Sequence, residues 1–159
     1  MSKFKELNEN VNKIMYKLIS SQDLCKYLYY DADKPLEEAN IDDTTKLLFE
    51  YIFPIPKINV TSSTKHSYLI FMFDNFHLSS NNKFKEALVK FDIICHIDLW
   101  KMEGTGMLRP YSIANEIDDL FNNQRGMGIG KAQFEEARFL PINDVYSGYR
   151  VVYKLYDFN

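Results

Sequence analysis

Between Phe84 and Leu99 the chain alternates in character. Val89, Phe91, Ile93, Cys95, Ile97 and Leu99 fall on odd positions and are apolar, whereas Lys90, Asp92, His96 and Asp98 fall on even ones, with Ile94 the exception. A period of two marks a strand with one buried face, because successive side chains of a pleated strand point to opposite sides. The run from Tyr68 to Phe73 is apolar throughout. It predicts a strand from Ser67 to Phe73 covered on both faces. Asp74 to Lys83 is rich in Asn, Ser and Asp, the turn chemistry of a long hairpin connection. Gln133 to Leu140 reads as another strand, and Pro141 to Gly148 as a turn-rich loop. In the closing stretch, Tyr149 to Phe158, Tyr149, Val151, Tyr153 and Leu155 alternate with Arg150 and Lys154, again at strand period.

Elsewhere the period is helical. Leu7, Val11, Ile14, Met15 and Leu18 form one stripe, predicting a helix from Lys3 to Ile19. The stripe covers under two heptads, too short for a coiled-coil seam, so it packs on the core of its own domain. Ser20 or Ser21 is placed to cap a second short helix carrying Leu24, Cys25 and Leu28. Asp42 or Asp43 opens a third, with Leu47, Leu48, Tyr51 and Ile52 on one side, and Pro54 and Pro56 end it. Ile113, Ile117, Leu120 and Phe121 predict a fourth from Arg109 to Asn123. Pro110 sits in its first turn, where the missing N–H has no partner anyway, and Gly126 serves as its stop. These elements compose one α+β domain over residues 1–159: a helical part at 1–53, then a core at 67–159 whose mostly antiparallel sheet is flanked by helices.

Composition narrows the classes. Aromatic residues reach 15%, with eleven Tyr and twelve Phe. That excess fits either a large subunit contact or a tyrosine-rich sheet. A formal charge of −3 and the absence of a basic run argue against wrapping nucleic acid, which depends on neutralising phosphates. No apolar run approaches the roughly 20 residues that span a bilayer, and the first residues lack the apolar region of a secretory signal. Cys25 and Cys95 make no disulfide framework and read as reduced thiols in a cytosolic compartment.

No complete catalytic signature is present, so no enzymatic activity and no cofactor are expected. Gly126 to Lys131 suggests a phosphate loop, but Arg125 stands where a first glycine is needed and Ala132 where a magnesium-binding hydroxyl is needed. The segment also leads into a strand and not a helix. Asp92, His96 and Asp98 share a polar strand face, and with Glu116 they are the candidates for an alternative, a small metal-dependent, nuclease-like enzyme. His66 and His77 form no ligand spacing with them. Arg109 is expected to bridge a carboxylate, Glu116 or Asp118, or to reach a neighbouring subunit. Cys95 faces the core and is a poor nucleophile. A further alternative is an adaptor that binds one host protein.

The order of elements, with FKEALVKFDIICHID ending a hairpin, LRPYSIANEIDDLFNN entering a helix, GMGIGK leaving it and YSGYRVVYKLYDFN closing the chain, resembles the small neck proteins of tailed bacteriophages, the tail-terminator and head–tail joining proteins. The resemblance covers about two thirds of the chain, from Ser67 onward. It implies a non-enzymatic virion subunit, assembled in the host cytoplasm into a homo-oligomeric ring, a hexamer or dodecamer, at the neck or tail top. Neighbouring neck and tail proteins would be its partners, and DNA would pass through without specific binding. On that reading Glu116, Asp118 and Asp119 are candidates for the lumen, and Arg109, Tyr149, Tyr153 and Tyr156 for the interface between subunits. The loops Val60–His66, Asp74–Lys83 and Leu99–Leu108 are candidates for docking to adjacent rings.

Overall fold

The computed structural model describes residues 3–56, 65–78, 85–103, 106–124 and 131–156. The chain begins with two helices, α1 (Lys3–Ile19) and α2 (Gln22–Tyr29). Ser21 caps α2 by accepting from the Leu24 N–H at 3.1 Å, as its position suggested. A two-residue strand β1 (Ile52–Phe53) and the long hairpin strands β2 (Ser67–Leu78) and β3 (Lys85–His96) follow. A single helical turn α3 (Ile97–Trp100) and the helix α4 (Arg109–Phe121) come next, and β4 (Lys131–Pro141) and β5 (Tyr146–Tyr156) end the fold. The sheet order is β1-β2-β3-β5-β4. Every pairing is antiparallel except β1 with β2. The fold is the α+β arrangement that the patterning implied, a mostly antiparallel sheet flanked by helices.

The odd positions of β3 carry the core. Val89, Phe91, Ile93 and Cys95 are fully buried and meet Ile14 and Leu18 of α1, Leu24 and Leu28 of α2, and Ile113, Ile117 and Phe121 of α4 in one cluster. Phe91 lies at its centre, 5.2 Å from the ring of Phe121 and 5.9 Å from that of Tyr153. The opposite sheet face is built differently. Tyr68, Ile70, Ile94 and Tyr146 form a small buried cluster at one end, so β2 is covered on both faces only over its first half. The rest of that face carries charge pairs between strands: Lys90 with Asp74 at 2.6 Å, Arg150 with Asp92 at 2.7 Å, and Lys154 with Glu86 at 3.9 Å.

Several boundaries differ from the sequence reading. No third helix forms at 42–52. Asp43 does cap a turn, accepting from the Thr45 N–H at 3.1 Å, but this 3-10 turn ends at Leu47. Phe49 then takes φ +64° and Ile52 is drawn beside Leu69 as β1. The apolar spacing there served burial of Leu47 and Ile52, both fully inside, and not a continuous helix face. The β3 strand stops at His96, where the ring Nδ1 accepts from the Asp98 N–H at 3.1 Å and opens α3. Ile97 is therefore turned out to solvent. The β2 strand runs past Phe73, with a bulge between Asp74 and His77. Helix α4 ends at Phe121, with Asn123 in the left-handed conformation, so asparagine supplies the stop assigned to Gly126. Gly126 itself lies outside the described residues. Tyr146 to Gly148, read as loop, begins β5. Gly148 is required there because a Cβ would meet the Ile93 carbonyl oxygen at 1.6 Å, so the two backbones approach too closely for any side chain.

Candidate functional site

The polar face of β3 does not assemble a metal centre. Asp92 accepts two hydrogen bonds from Arg150, Nε at 2.7 Å and Nη2 at 2.9 Å, a bidentate pair that occupies the carboxylate. His96 is buried, its ring 5.1 Å from that of Tyr146 and its Nδ1 used as the cap of α3. Asp98 turns outward to Lys65 at 3.0 Å, and that ammonium holds its carboxyl below the usual range. Glu116 lies on α4 and meets Ser21 instead, the hydroxyl donating at 3.5 Å. Among the described residues no group of three His, Cys, Asp or Glu side chains is placed to hold a metal ion. Lys131 opens a strand, and the glycines before it lie outside the described residues.

Arg109 bridges no carboxylate. It is 1% exposed and donates to four backbone carbonyls: Nε to Leu99 at 3.0 Å, Nη1 to Tyr27 at 2.7 Å and Tyr30 at 3.1 Å, and Nη2 to Ala32 at 2.7 Å. Burial pushes its pKa below the ordinary guanidinium value, and the carbonyls at the end of α2 compensate with the negative end of the helix dipole. The residue clamps α2, its following loop, α3 and α4 together from inside, so it presents nothing to another subunit. Tyr153 is also fully buried. Its hydroxyl donates to Asp118 Oδ1 at 2.8 Å. Burial and that carboxylate push the phenol far above the ordinary tyrosine range. Asp118 is thereby committed to the fold. Glu116 is half-buried, with burial first and then Asp23 and Asp119 raising its pKa. Of the three acidic residues assigned to a lumen, only Asp119 is exposed.

Tyr149 and Tyr156 remain at the surface in part. Tyr156 lies under the Lys154 ammonium, 5.1 Å from the ring centroid. Tyr149 belongs to something larger. Its hydroxyl is 2.6 Å from that of Tyr111 on α4, and its ring packs near Trp100, Tyr111 and Phe139 with centroids at 6.3, 5.0 and 6.1 Å. Tyr111 is 50% exposed, Phe134 50% and Phe139 57%. Between α4 and β4 runs a shallow groove of about 400 Å³, bordered by Tyr111, Ala114, Phe134, Ala137 and Val151. On the other side of Tyr111 a recess of about 660 Å³ lies against Tyr27, Met107, Leu108 and Ser112.

Of this aromatic strip, sequence reasoning found only Tyr149. A bulge between Phe134 and Glu136 changes the parity of β4, so that Phe134, Ala137 and Phe139 share the helix-side face with Tyr153, Val151 and Tyr149. Strict alternation cannot place an even and two odd positions on one side. The phenylalanines were visible as residues, but not as a common face. Of the loops considered for docking, Val60–His66 and Asp74–Lys83 lie partly outside the described residues. In Leu99–Leu108, Met102 is buried and a bridge joins Lys101 to Leu108.

Among known families, the YomW family model matches residues 21–155. No curated protein and no solved structure matches the chain. No helix among the described residues is long and apolar enough to cross a membrane.

Proposed function

The chain belongs to the YomW family, a Bacillus phage-region protein family, and from that premise we propose that it is a non-enzymatic structural subunit of a phage particle, acting through contact with copies of itself and with neighbouring particle proteins. The observation that carries the reading is the aromatic strip. Phe134 and Phe139 on the outermost strand of the sheet and Tyr111 on α4 border one groove region, each at about half exposure. Contiguous exposed apolar surface of this kind marks a protein contact, and aromatic side chains dominate such contacts.

The finer reading is a closed ring, a hexamer or dodecamer, at the neck or tail top, around the channel that DNA traverses. The small negative charge of −3 suits a lumen that DNA passes without being held. Asp119 is the acidic residue of α4 exposed enough to line it. The test is twofold. Light scattering on the purified protein gives its mass in solution, and mass spectrometry of purified particles shows whether the chain is part of them. An oligomer that is also found in particles supports the proposal. A protein that is monomeric at every concentration and missing from particles overturns it.

A further inference from the structure

β4 is the last strand of the sheet, so one of its edges faces away from β5. At its start that edge is occupied. The Asn123 N–H donates to the Ala132 carbonyl at 2.7 Å, and the Phe134 N–H to Asn122 Oδ1 at 3.0 Å. From Glu135 to Leu140 it meets no partner among the described residues, and Pro141, without an N–H, closes the far end. An edge of this kind is a template for another strand. Its side chains say which one. The bulge turns Glu136 and Arg138 onto the charged sheet face, Arg138 opposite Arg150 and Glu136 opposite Val152. The two side chains are 45% and 71% exposed and 3.2 Å apart within one chain. A row of lysines would repel any added strand, whereas alternating signs select one register.

We propose that the outer edge of β4 pairs antiparallel with the β4 edge of a second copy, about a two-fold axis at Ala137. This rests on the reading that the protein works through contact with copies of itself, and it names the surface. In an antiparallel pair of identical strands, side chains stay on matching faces only if the axis passes through a residue position. An axis at Glu136 sets carboxylate against carboxylate. An axis at Arg138 sets guanidinium against guanidinium. An axis at Ala137 sets each Glu136 opposite the other copy's Arg138, twice over, with only two methyl groups meeting at the axis. Cross-strand pairs of opposite charge stabilise a sheet and like pairs oppose it. The same axis brings Ala137 of both copies together on the helix side, beside the groove under Tyr111, with Phe139 of each copy at the Glu135 position of the other. Asn122 ends the pairing after Glu135 on each side, so the contact closes at two copies. A ring then needs a further surface, and a dodecamer of two stacked rings has a place for both.

The experiment uses the full chain and two charge variants, Glu136→Arg and Arg138→Glu, at exposed positions that leave the fold intact by circular dichroism. Each variant alone sets like charges opposite one another and is expected to dimerise about tenfold or more weakly than the parent by light scattering. An equimolar mixture restores the dimer, because one variant offers two cations and the other two anions. Independently, Ala137→Cys forms a disulfide-linked dimer under mild oxidation, and Arg138→Cys forms none. The parent gives none either, since Cys25 and Cys95 are buried with thiols pushed up to about 12. If both charge variants dimerise as tightly as the parent, another surface makes the contact: this proposal falls, and the contact reading stands. If the parent is monomeric and Ala137→Cys does not cross-link, this proposal also falls, and presence of the chain in particles decides the contact reading separately.

Discussion

Replacing Arg109 with methionine removes the guanidinium while keeping most of the apolar shaft. Four charge-assisted hydrogen bonds are lost, to the carbonyls of Leu99, Tyr27, Tyr30 and Ala32. At ~1.5–3 kcal/mol each their gross worth is ~6–12 kcal/mol. Dehydrating the cation already costs several kcal/mol, and the fold carries that cost, as its depressed pKa reflects. Methionine relieves this penalty but strands four carbonyls at a site only 1% exposed. The net loss should be ~3–5 kcal/mol, the scale seen when one side of a buried charged interaction is removed. With a urea dependence of ~2 kcal/mol per molar for a chain of this size, the unfolding midpoint should fall by ~2 M. Trp100, the single tryptophan, follows Leu99 directly and reports the transition by fluorescence. Arg109→Lys keeps the charge, but one ammonium cannot reach four acceptors spread over three segments, so it should recover about half the loss. A methionine variant that unfolds within ~0.5 M of the parent would show that the four carbonyls are satisfied without the guanidinium, and the clamp argument would fail.

Three other outcomes follow from single positions. Gly148→Ala should prevent stable folding, because its Cβ would sit 1.6 Å from the Ile93 carbonyl oxygen and only separation of β3 from β5 relieves that; a soluble variant with parental melting temperature refutes the close approach. Tyr153→Phe should cost ~1 kcal/mol at neutral pH, through loss of the hydrogen bond to Asp118. The Tyr153 pKa is raised in the folded chain, so its stabilisation is complete below the unfolded value of ~10 and is lost as pH climbs past it. Melting temperature should therefore drop more steeply above pH 10 in the parent than in Tyr153→Phe, and equal slopes would contradict the buried phenol. Cys25 and Cys95, with thiols pushed up to about 12 by burial, should react with a thiol reagent at least ~100-fold faster in denaturant than in buffer; rapid native labelling would place one of them at the surface.

The strands most readable in the chain were those with one face on the helices. In β3 and β5 the odd positions face the helices without interruption, and those from Val89 to Cys95 and from Val151 to Leu155 enter the core, so period two survives intact. Readability failed where backbone geometry changed between one residue and the next. Asp43 and the apolar residues after it promised a helix, but a left-handed Phe49 and the pull of β2 on Ile52 broke the run after one turn. Propensity says nothing about a pairing made with residues seventeen positions away, Ile52 with Leu69. The candidate residues divide on the same line. Arg109 was correctly singled out as an unusual arginine, but its partners are carbonyls, which every residue possesses and no sequence displays. Asp92 and Arg150 sit fifty-eight positions apart, joined only through the β3–β5 register. The aromatic strip was hidden by one bulge.

The two faces of the sheet solve the problem of water differently, and the difference bears on function. On the face away from the helices, charge pairs such as Asp74–Lys90 and Asp92–Arg150 keep the surface wet and need no cover. On the helix side, α1, α2 and α4 cover β2, β3 and β5 through Leu155, and the layer then runs out. β4 continues the sheet beyond it, yet keeps the apolar character of a covered strand in Phe134, Ala137 and Phe139. Burying such a phenyl is worth ~1.5–3 kcal/mol, and an isolated chain collects only about half of that from each of these two rings. Folding alone would be served as well by threonine or lysine at the same positions, which also protect an edge. On the proposed contact reading, a strand with aromatic residues on one face and one acid–base pair on the other meets a second surface lying across it. If Phe134→Thr and Phe139→Thr left self-association unchanged, the aromatic residues would have no role beyond the single chain, and the contact would have to be sought elsewhere.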